Sequence, residues 1–182
     1  MSKYLTSNYT DGMTLRELLD DTFSSWERER PDLDLAAMNT ALRLNSLMNA
    51  ALRGVETLFA PHGITAGEFD VLAALRRGGA GTVLTPTSLA RVAMISPAGM
   101  TNRLNRLEAA GLIERRPDPA DRRGSLVTLT KKGAATTDRA LDALVAAEND
   151  IFDELSATER QRLDRILDKL IDRLDATAIT DS

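Results

Sequence analysis

The sequence of 182 residues contains no cysteine, one histidine and few aromatic residues, and each shortage excludes a class of site. Without cysteine, the chain can form neither a disulfide framework nor a thiolate metal site or thiol redox switch. A single histidine argues against a zinc or iron centre, so no metal or cofactor is expected. Because aromatic residues make up 4% of the chain, we expect a core of leucine, alanine, valine and isoleucine.

Long apolar segments are also missing. No run approaches the roughly 18–20 residues that a membrane span needs, and the N-terminus, Met1-Ser2-Lys3-Tyr4, lacks the apolar core of a signal peptide. A hydrophobic fraction of 43% and a charged fraction of 27% are typical of a globular chain. We therefore expect one compact cytoplasmic domain.

The charge is unevenly distributed. Between Ile95 and Lys132 there are eight basic and four acidic residues, a balance of +4, so the rest of this chain of net charge −4 carries −8. A local basic stretch favours nucleic-acid binding even in an acidic chain. Charge alone is equally compatible with a solvated surface segment. The choice between this interpretation and nucleic-acid binding depends on the residues between the charges.

Capping signals and apolar periodicity predict a mainly helical chain. Three capping boxes of the type Ser/Thr-x-x-Glu begin helices at Thr14, Thr65 and Ser156. Pairs of hydroxyl residue and proline begin two shorter helices after Thr85 and Ser96. Apolar periodicity predicts longer helices over about residues 15–30 and 35–59, the second capped by Asp34, and two C-terminal helices after residues 130 and 156.

A β-hairpin is predicted between the short helices and the C-terminal helices. Gly111 ends the second short helix. Residues 112–116 and 125–129 are strand candidates, joined by a turn-rich loop that carries Arg122 and Arg123. Two helices joined by a short turn and followed by a hairpin form a winged helix-turn-helix, so the predicted fold is mainly α with a small β-hairpin wing.

The helix from Pro97 to Ala110 has an apolar and a polar face. Met100, Leu104 and Leu107 recur at i, i+4 and i+7, which predicts burial of that face. The polar face carries amides, a hydroxyl and a guanidinium, which can reach base edges in a major groove, while arginines on the hairpin tip suit a narrow minor groove. An amphipathic helix with a solvated polar face is the alternative. The predicted DNA-binding residues are Ser96, Pro97, Thr101, Asn102, Asn105, Arg106, Arg122 and Arg123.

Three segments resemble the MarR family of bacterial transcription regulators: residues 84–90 (LTPTSLA), 96–116 (SPAGMTNRLNRLEAAGLIERR) and 118–130 (DPADRRGSLVTLT). The resemblance extends from about Asp34 to Asp175. It implies an entwined helical homodimer, a repressor whose two winged lobes bind a pseudo-palindromic operator in double-stranded DNA. It divides the chain into an N-terminal arm and extra helix (1–33), a dimerisation region (34–60 and 131–176) and a DNA-binding lobe (61–130).

The extra N-terminal helix, with the only tryptophan, is similar to that of the urate-responsive, PecS-like branch of the family. This resemblance implies an effector site formed by Trp26, Asp70, Arg103 and Arg115. The tryptophan would stack on a small anion, the arginines would donate charge-assisted hydrogen bonds, and the anion would release the DNA. Some relatives with these residues respond to other small anions, such as tricarboxylic acids. Each residue also has an alternative role. Trp26 is then a packing residue of the extra helix, and Asp70 no more than a salt-bridge partner of Arg103. Arg103 is then a phosphate contact, and Arg115 a solvated residue of the strand.

Other functions are less well supported. No glycine-rich phosphate loop precedes a helix, and the carboxylates are spread over helix faces, so an enzyme is not expected. A ligand-independent repressor or an architectural DNA-binding protein is the alternative to a ligand-responsive regulator.

Overall fold

The structure, a computed structural model, describes residues 12–119 and 124–180, with side chains as far as residue 176. The predicted mainly helical fold with a two-stranded wing is confirmed. The chain divides between Leu144 and Val145 into two compact units. The elements are α1 (Leu15–Glu29), α2 (Ala36–Phe59), α3 (Ala66–Arg77), α4 (Pro86–Val92), α5 (Pro97–Ala109), β1 (Ile113–Pro117), β2 (Ser125–Leu129), α6 (Lys131–Phe152) and α7 (Ala157–Thr180), with a 3-10 turn at Ala60–His62.

The helices begin where their capping residues predict, with one exception. The boxes at Thr14, Thr65 and Ser156 all form, and each hydroxyl accepts a hydrogen bond from the amide three residues later. The exception is α2, whose N-cap is Leu35 without a side-chain bond. The predicted cap, Asp34, still accepts a 3.0 Å hydrogen bond from the Ala36 amide, because its carboxylate reaches across one residue.

The wing is attached through β2 to the segment that precedes α4. β1 and β2 pair antiparallel, with Ile113 opposite Leu129 and Pro117 opposite Ser125. Val127 exchanges two backbone hydrogen bonds with Leu84, which precedes α4. The wing therefore has a fixed position beside the helix-turn-helix.

The core of the DNA-binding lobe is largely aliphatic, as the composition predicts. Met100, Leu104 and Leu107 of α5 are buried as predicted. They lie in a core with Leu72, Leu75, Leu89, Ile113 and Val127, which are also buried. Next to this core, the rings of Phe59 at the end of α2 and Phe69 of α3 are stacked, with centroids 4.5 Å apart.

Two turns set the direction of α5. Met94, in the turn that leads from α4 to α5, has a φ of +50° and is 92% exposed. Gly111 has a φ of +69°, which suits a glycine just after a helix end and reverses the chain into β1. Lys132 donates a 2.7 Å hydrogen bond to the Ala110 carbonyl, so part of the predicted basic stretch caps α5.

Within the described ranges, we find no helix whose length and apolar character would suit it to cross a bilayer.

Candidate nucleic-acid interface and effector site

The polar face of α5, which we predict to contact DNA bases and call the reading face, lies on the surface. Ser96 caps the helix by accepting a hydrogen bond from the Gly99 amide, and Pro97 occupies its first turn. Positions 101, 102, 105 and 106 lie along one side of a helix because they are spaced by one turn. The residues of this side and the helix start are all exposed: Ser96, Pro97, Thr101, Asn102, Asn105 and Arg106. Arg122 and Arg123 lie outside the described residues.

One reading residue is bonded to a predicted effector residue. Arg115 of β1 donates from Nη2 to the Oδ1 atom of Asn105, at 2.8 Å. It also donates from Nε to the Oε2 atom of Glu108, at 2.8 Å, and from Nη2 to the same oxygen. The Arg115 guanidinium holds the pKa of the Glu108 carboxyl below its ordinary value through these hydrogen bonds. Arg115 thus connects the wing to the middle of the reading face.

A second predicted effector residue joins α5 to α3. Arg103 donates from Nη1 to the Gly67 carbonyl, at 3.0 Å. A Cβ atom at Gly67 would lie 2.5 Å from the Arg103 Cζ atom, so the guanidinium occupies the space that a side chain would need. The absence of a side chain at Gly67 therefore admits Arg103 to the first turn of α3.

The other two effector residues are separate from these contacts. Asp70 is exposed one turn along α3 from Gly67. In the described part of the chain no ion pair joins Asp70 to Arg103, so the salt-bridge alternative for Asp70 is not what the structure shows. Trp26 lies on α1 and is 49% exposed. The structure therefore places two arginines at α5 and leaves Trp26 and Asp70 on exposed helix surfaces.

Two glutamates that the sequence does not single out contact the arginines of this region. Glu108 binds Arg115, as described above. Glu68 lies with its Oε1 atom 3.2 Å from the Nε atom of Arg106. The capping box identifies Glu68 only as a helix start, and 38 residues separate it from Arg106. For Glu108 there is a sequence signal: a strand that starts just after Gly111 runs back beside the last turn of α5.

The comparison with known proteins decides the family. A family model described as "MarR family" matches residues 62–124. The HTH-type transcriptional regulator PecS of Dickeya dadantii (strain 3937) is 36% identical to this chain over 155 residues, which cover 84% of this chain and 92% of PecS. The chain belongs to the MarR family. It is a DNA-binding transcription regulator and not an enzyme, as expected.

MarR of Escherichia coli matches a smaller part of the chain than PecS does. The Multiple antibiotic resistance protein MarR of Escherichia coli (strain K12) is 34% identical over 113 residues, 61% of this chain and 76% of its own length. A crystal structure of a mutant MarR from E. coli complexed with operator DNA superposes with a TM-score of 0.60 at 30% identity. The superposition covers 76% of this chain and 99% of the MarR chain. The winged helix-turn-helix is therefore in the arrangement seen in that structure.

Proposed function

We propose that this MarR-family protein is a repressor that binds a pseudo-palindromic operator as a homodimer and is released by a small anion such as urate. The observation that carries DNA binding is the exposed polar face of α5. In the major groove this face brings two amides, a hydroxyl and a guanidinium to the base edges. The N-terminus of α5, at Ser96 and Pro97, then faces a phosphate, which its amides and helix dipole favour. Arg122 and Arg123 contact the adjacent minor groove.

Two apolar stripes support the homodimer. The helices α2 and α7 each expose large apolar side chains at helical spacing, an extent that is unusual for a monomer. A second copy of the chain would cover them and set two reading helices at the spacing of operator half-sites. In this division, residues 34–60 and 131–176 form the dimerisation region, residues 61–130 the DNA-binding lobe, and residues 1–33 the arm and extra helix. The stripes consist of Leu44, Leu47, Met48 and Leu52 in α2, and of Ile166, Leu170, Ile171 and Leu174 in α7.

The oligomeric state has a direct test. Sedimentation equilibrium at micromolar concentration should give twice the chain mass of 19.8 kDa. A folded monomer near the chain mass would contradict the dimer and the palindromic operator together.

The effector proposal depends on the hydrogen bonds of Arg115. An anion that binds Trp26, Asp70, Arg103 and Arg115 would draw the Arg115 guanidinium away from Asn105 of the reading face. Because Asn105 then loses a fixed partner, operator binding weakens. Tenfold weaker operator binding corresponds to about 1.4 kcal/mol of coupling, and the operator must weaken anion binding by the same factor.

A titration of the DNA upstream of the protein's own gene tests this proposal. Gel-shift affinity should fall when urate is added, and the fluorescence of Trp26 should report occupancy of the site. Trp26→Phe and Arg115→Ala should lower urate affinity, and Trp26→Phe should leave ligand-free operator binding intact. Millimolar urate, xanthine and tricarboxylic acids without effect on fluorescence or affinity would contradict the effector site.

A ligand-independent repressor is the second candidate. It is favoured by one observation: both arginines of the effector site already have protein partners, since Arg103 binds the Gly67 carbonyl and Arg115 binds Glu108. An anion must displace these partners to bind. Operator binding that no anion changes, combined with unchanged melting temperature, would select this candidate.

A further inference from the structure

The contact between Glu68 and Arg106 is unusual because it joins a buried carboxylate to an exposed arginine. The side chain of Glu68 is 8% exposed, whereas that of Arg106 is 64% exposed. The Glu68 Oε1 atom lies 3.2 Å from the Nε atom of Arg106. Burial of a carboxylate is costly unless it is paired and hydrogen-bonded. For Glu68, Arg106 supplies the opposite charge and the Thr65 amide supplies a hydrogen bond.

Glu68 is itself held in place by α3. Its Oε2 atom accepts a 2.9 Å hydrogen bond from the Thr65 amide, and its own amide donates to the Thr65 hydroxyl at 3.2 Å. The capping box thus uses one carboxylate oxygen and leaves the other toward Arg106. A rigid partner at Nε restricts the rotamers of an otherwise flexible arginine, whose outer nitrogens are the ones that pair bidentately with guanine.

We propose that Glu68 is a positioning residue that sets the DNA sequence specificity of this protein by holding the guanidinium of Arg106. The carboxylate fixes the inner edge of the guanidinium and thereby directs its outer edge toward the major groove. Its negative charge also reduces the attraction of Arg106 for phosphate, which any sequence offers. Glu68 therefore favours the cognate site over random DNA. This inference rests on the proposed placement of α5 in the major groove.

The test compares Glu68→Gln with the native chain on two duplexes. One is recovered from a random library by selection with the native chain, and the other is a shuffled duplex of the same composition. Glutamine keeps an oxygen for the Thr65 amide but removes the charge. We expect the ratio of cognate to shuffled affinity to fall about tenfold, within the range for one lost base contact. Affinity for the shuffled duplex should stay constant or rise.

A double-mutant cycle with Arg106→Ala separates positioning from stability. Arg106→Ala should lower the affinity ratio, and Glu68→Gln should have no further effect on the ratio in that background. The matched control is Glu17→Gln, which alters a capping box of the same type at the start of α1, outside the proposed dimerisation region and DNA-binding lobe. Two results would overturn the proposal. One is a tenfold fall in the ratio of cognate to shuffled affinity in the control variant. The other is that Glu68→Gln lowers this ratio equally in the native chain and in Arg106→Ala. If Arg106→Ala itself leaves the ratio unchanged, the placement of α5 is wrong instead.

A measurement on the native chain removes any dependence on the folding of Glu68→Gln. The Nε–H group of Arg106 should be more ordered than that of Arg116, an exposed arginine on β1. Nitrogen-15 relaxation of the side-chain Nε–H groups gives both order parameters, and Arg106→Ala assigns the signal. Equal order parameters for the two arginines would show that Glu68 does not hold Arg106 in solution, and would overturn the proposal.

Discussion

Gly67 and Gly133 both lie within helices, and alanine at each position should have a different effect on stability. A helical glycine replaced by alanine gains about 1 kcal/mol from backbone entropy and helix propensity. At Gly133 of α6, the new Cβ would lie 1.8 Å from the carbonyl oxygen of Leu112. At Gly67 of α3, it would lie 2.5 Å from the Arg103 guanidinium. The first neighbour is backbone, and the second is the end of a flexible side chain.

The carbonyl of Leu112 cannot move away without loss. It accepts hydrogen bonds from the amide of Thr130 at 3.1 Å and from its hydroxyl at 3.2 Å. Overpacking typically costs about 1–3 kcal/mol, and each lost hydrogen bond adds about 1 kcal/mol. After the gain of about 1 kcal/mol in propensity, we expect Gly133→Ala to lower the free energy of unfolding by roughly 2–4 kcal/mol.

Gly67→Ala should change stability little. The guanidinium of Arg103 can rotate into solvent, so the variant loses one hydrogen bond, worth about 1 kcal/mol, and gains a similar amount in propensity. Urea unfolding followed by circular dichroism measures both variants, at one protein concentration because dimerisation contributes to the apparent stability. If Gly133→Ala is as stable as the native chain, or Gly67→Ala is equally destabilised, the distinction between fixed and movable neighbours is refuted.

Three further predictions concern the wing, the turn before α5 and the Glu108 carboxyl. Arg122→Ala combined with Arg123→Ala should weaken binding to all DNA and lower the salt slope of log K by about 1 per lost phosphate contact; an unchanged slope would exclude a role for the wing tip. Met94→Gly should raise the urea midpoint and increase the free energy of unfolding by about 0.5–1 kcal/mol, because Met94 has a positive φ; a lower midpoint would contradict this. Because the pKa of Glu108 is depressed by Arg115, its contribution to stability is present above the ordinary glutamate pKa of about 4.3 and is lost as the pH falls through the depressed value. Carbon NMR of the Glu108 carboxyl should show this pKa return toward 4.3 in Arg115→Ala, and an unchanged titration would refute the pairing.

Local patterns in the sequence are sufficient to predict the helices and strands of the fold. Capping boxes act within four residues, so the helix starts after Thr14, Thr65 and Ser156 can be predicted without knowledge of any neighbour. The same holds for the burial of Met100 and its neighbours on α5, because one amphipathic face must be buried whatever covers it. The start of α2 was predicted less accurately. The carboxylate of Asp34 accepts its hydrogen bond from one position before the actual cap residue.

The resemblance to a family and the polar face of α5 likewise predicted DNA binding, which the family confirms, and the DNA-binding residues remain a prediction. They could not predict which partners those residues have, because such pairs join distant parts of the chain. Asn105 is hydrogen-bonded to Arg115 across the turn at Gly111, and Arg106 meets Glu68 from another helix. Periodicity assigns a residue to a face of its own helix, but not to a neighbour on another element.

The same limit applies to the predicted effector residues. Trp26, Asp70, Arg103 and Arg115 come from separate helices and a strand, and the resemblance treats them as one set. Packing places Arg103 at the Gly67 carbonyl and Arg115 at the Glu108 carboxylate, because assembly of the elements brings these acceptors within hydrogen-bonding distance. The charge and length of an arginine side chain are known from the sequence. Its acceptor is not, because only the folded chain brings a particular oxygen within hydrogen-bonding distance.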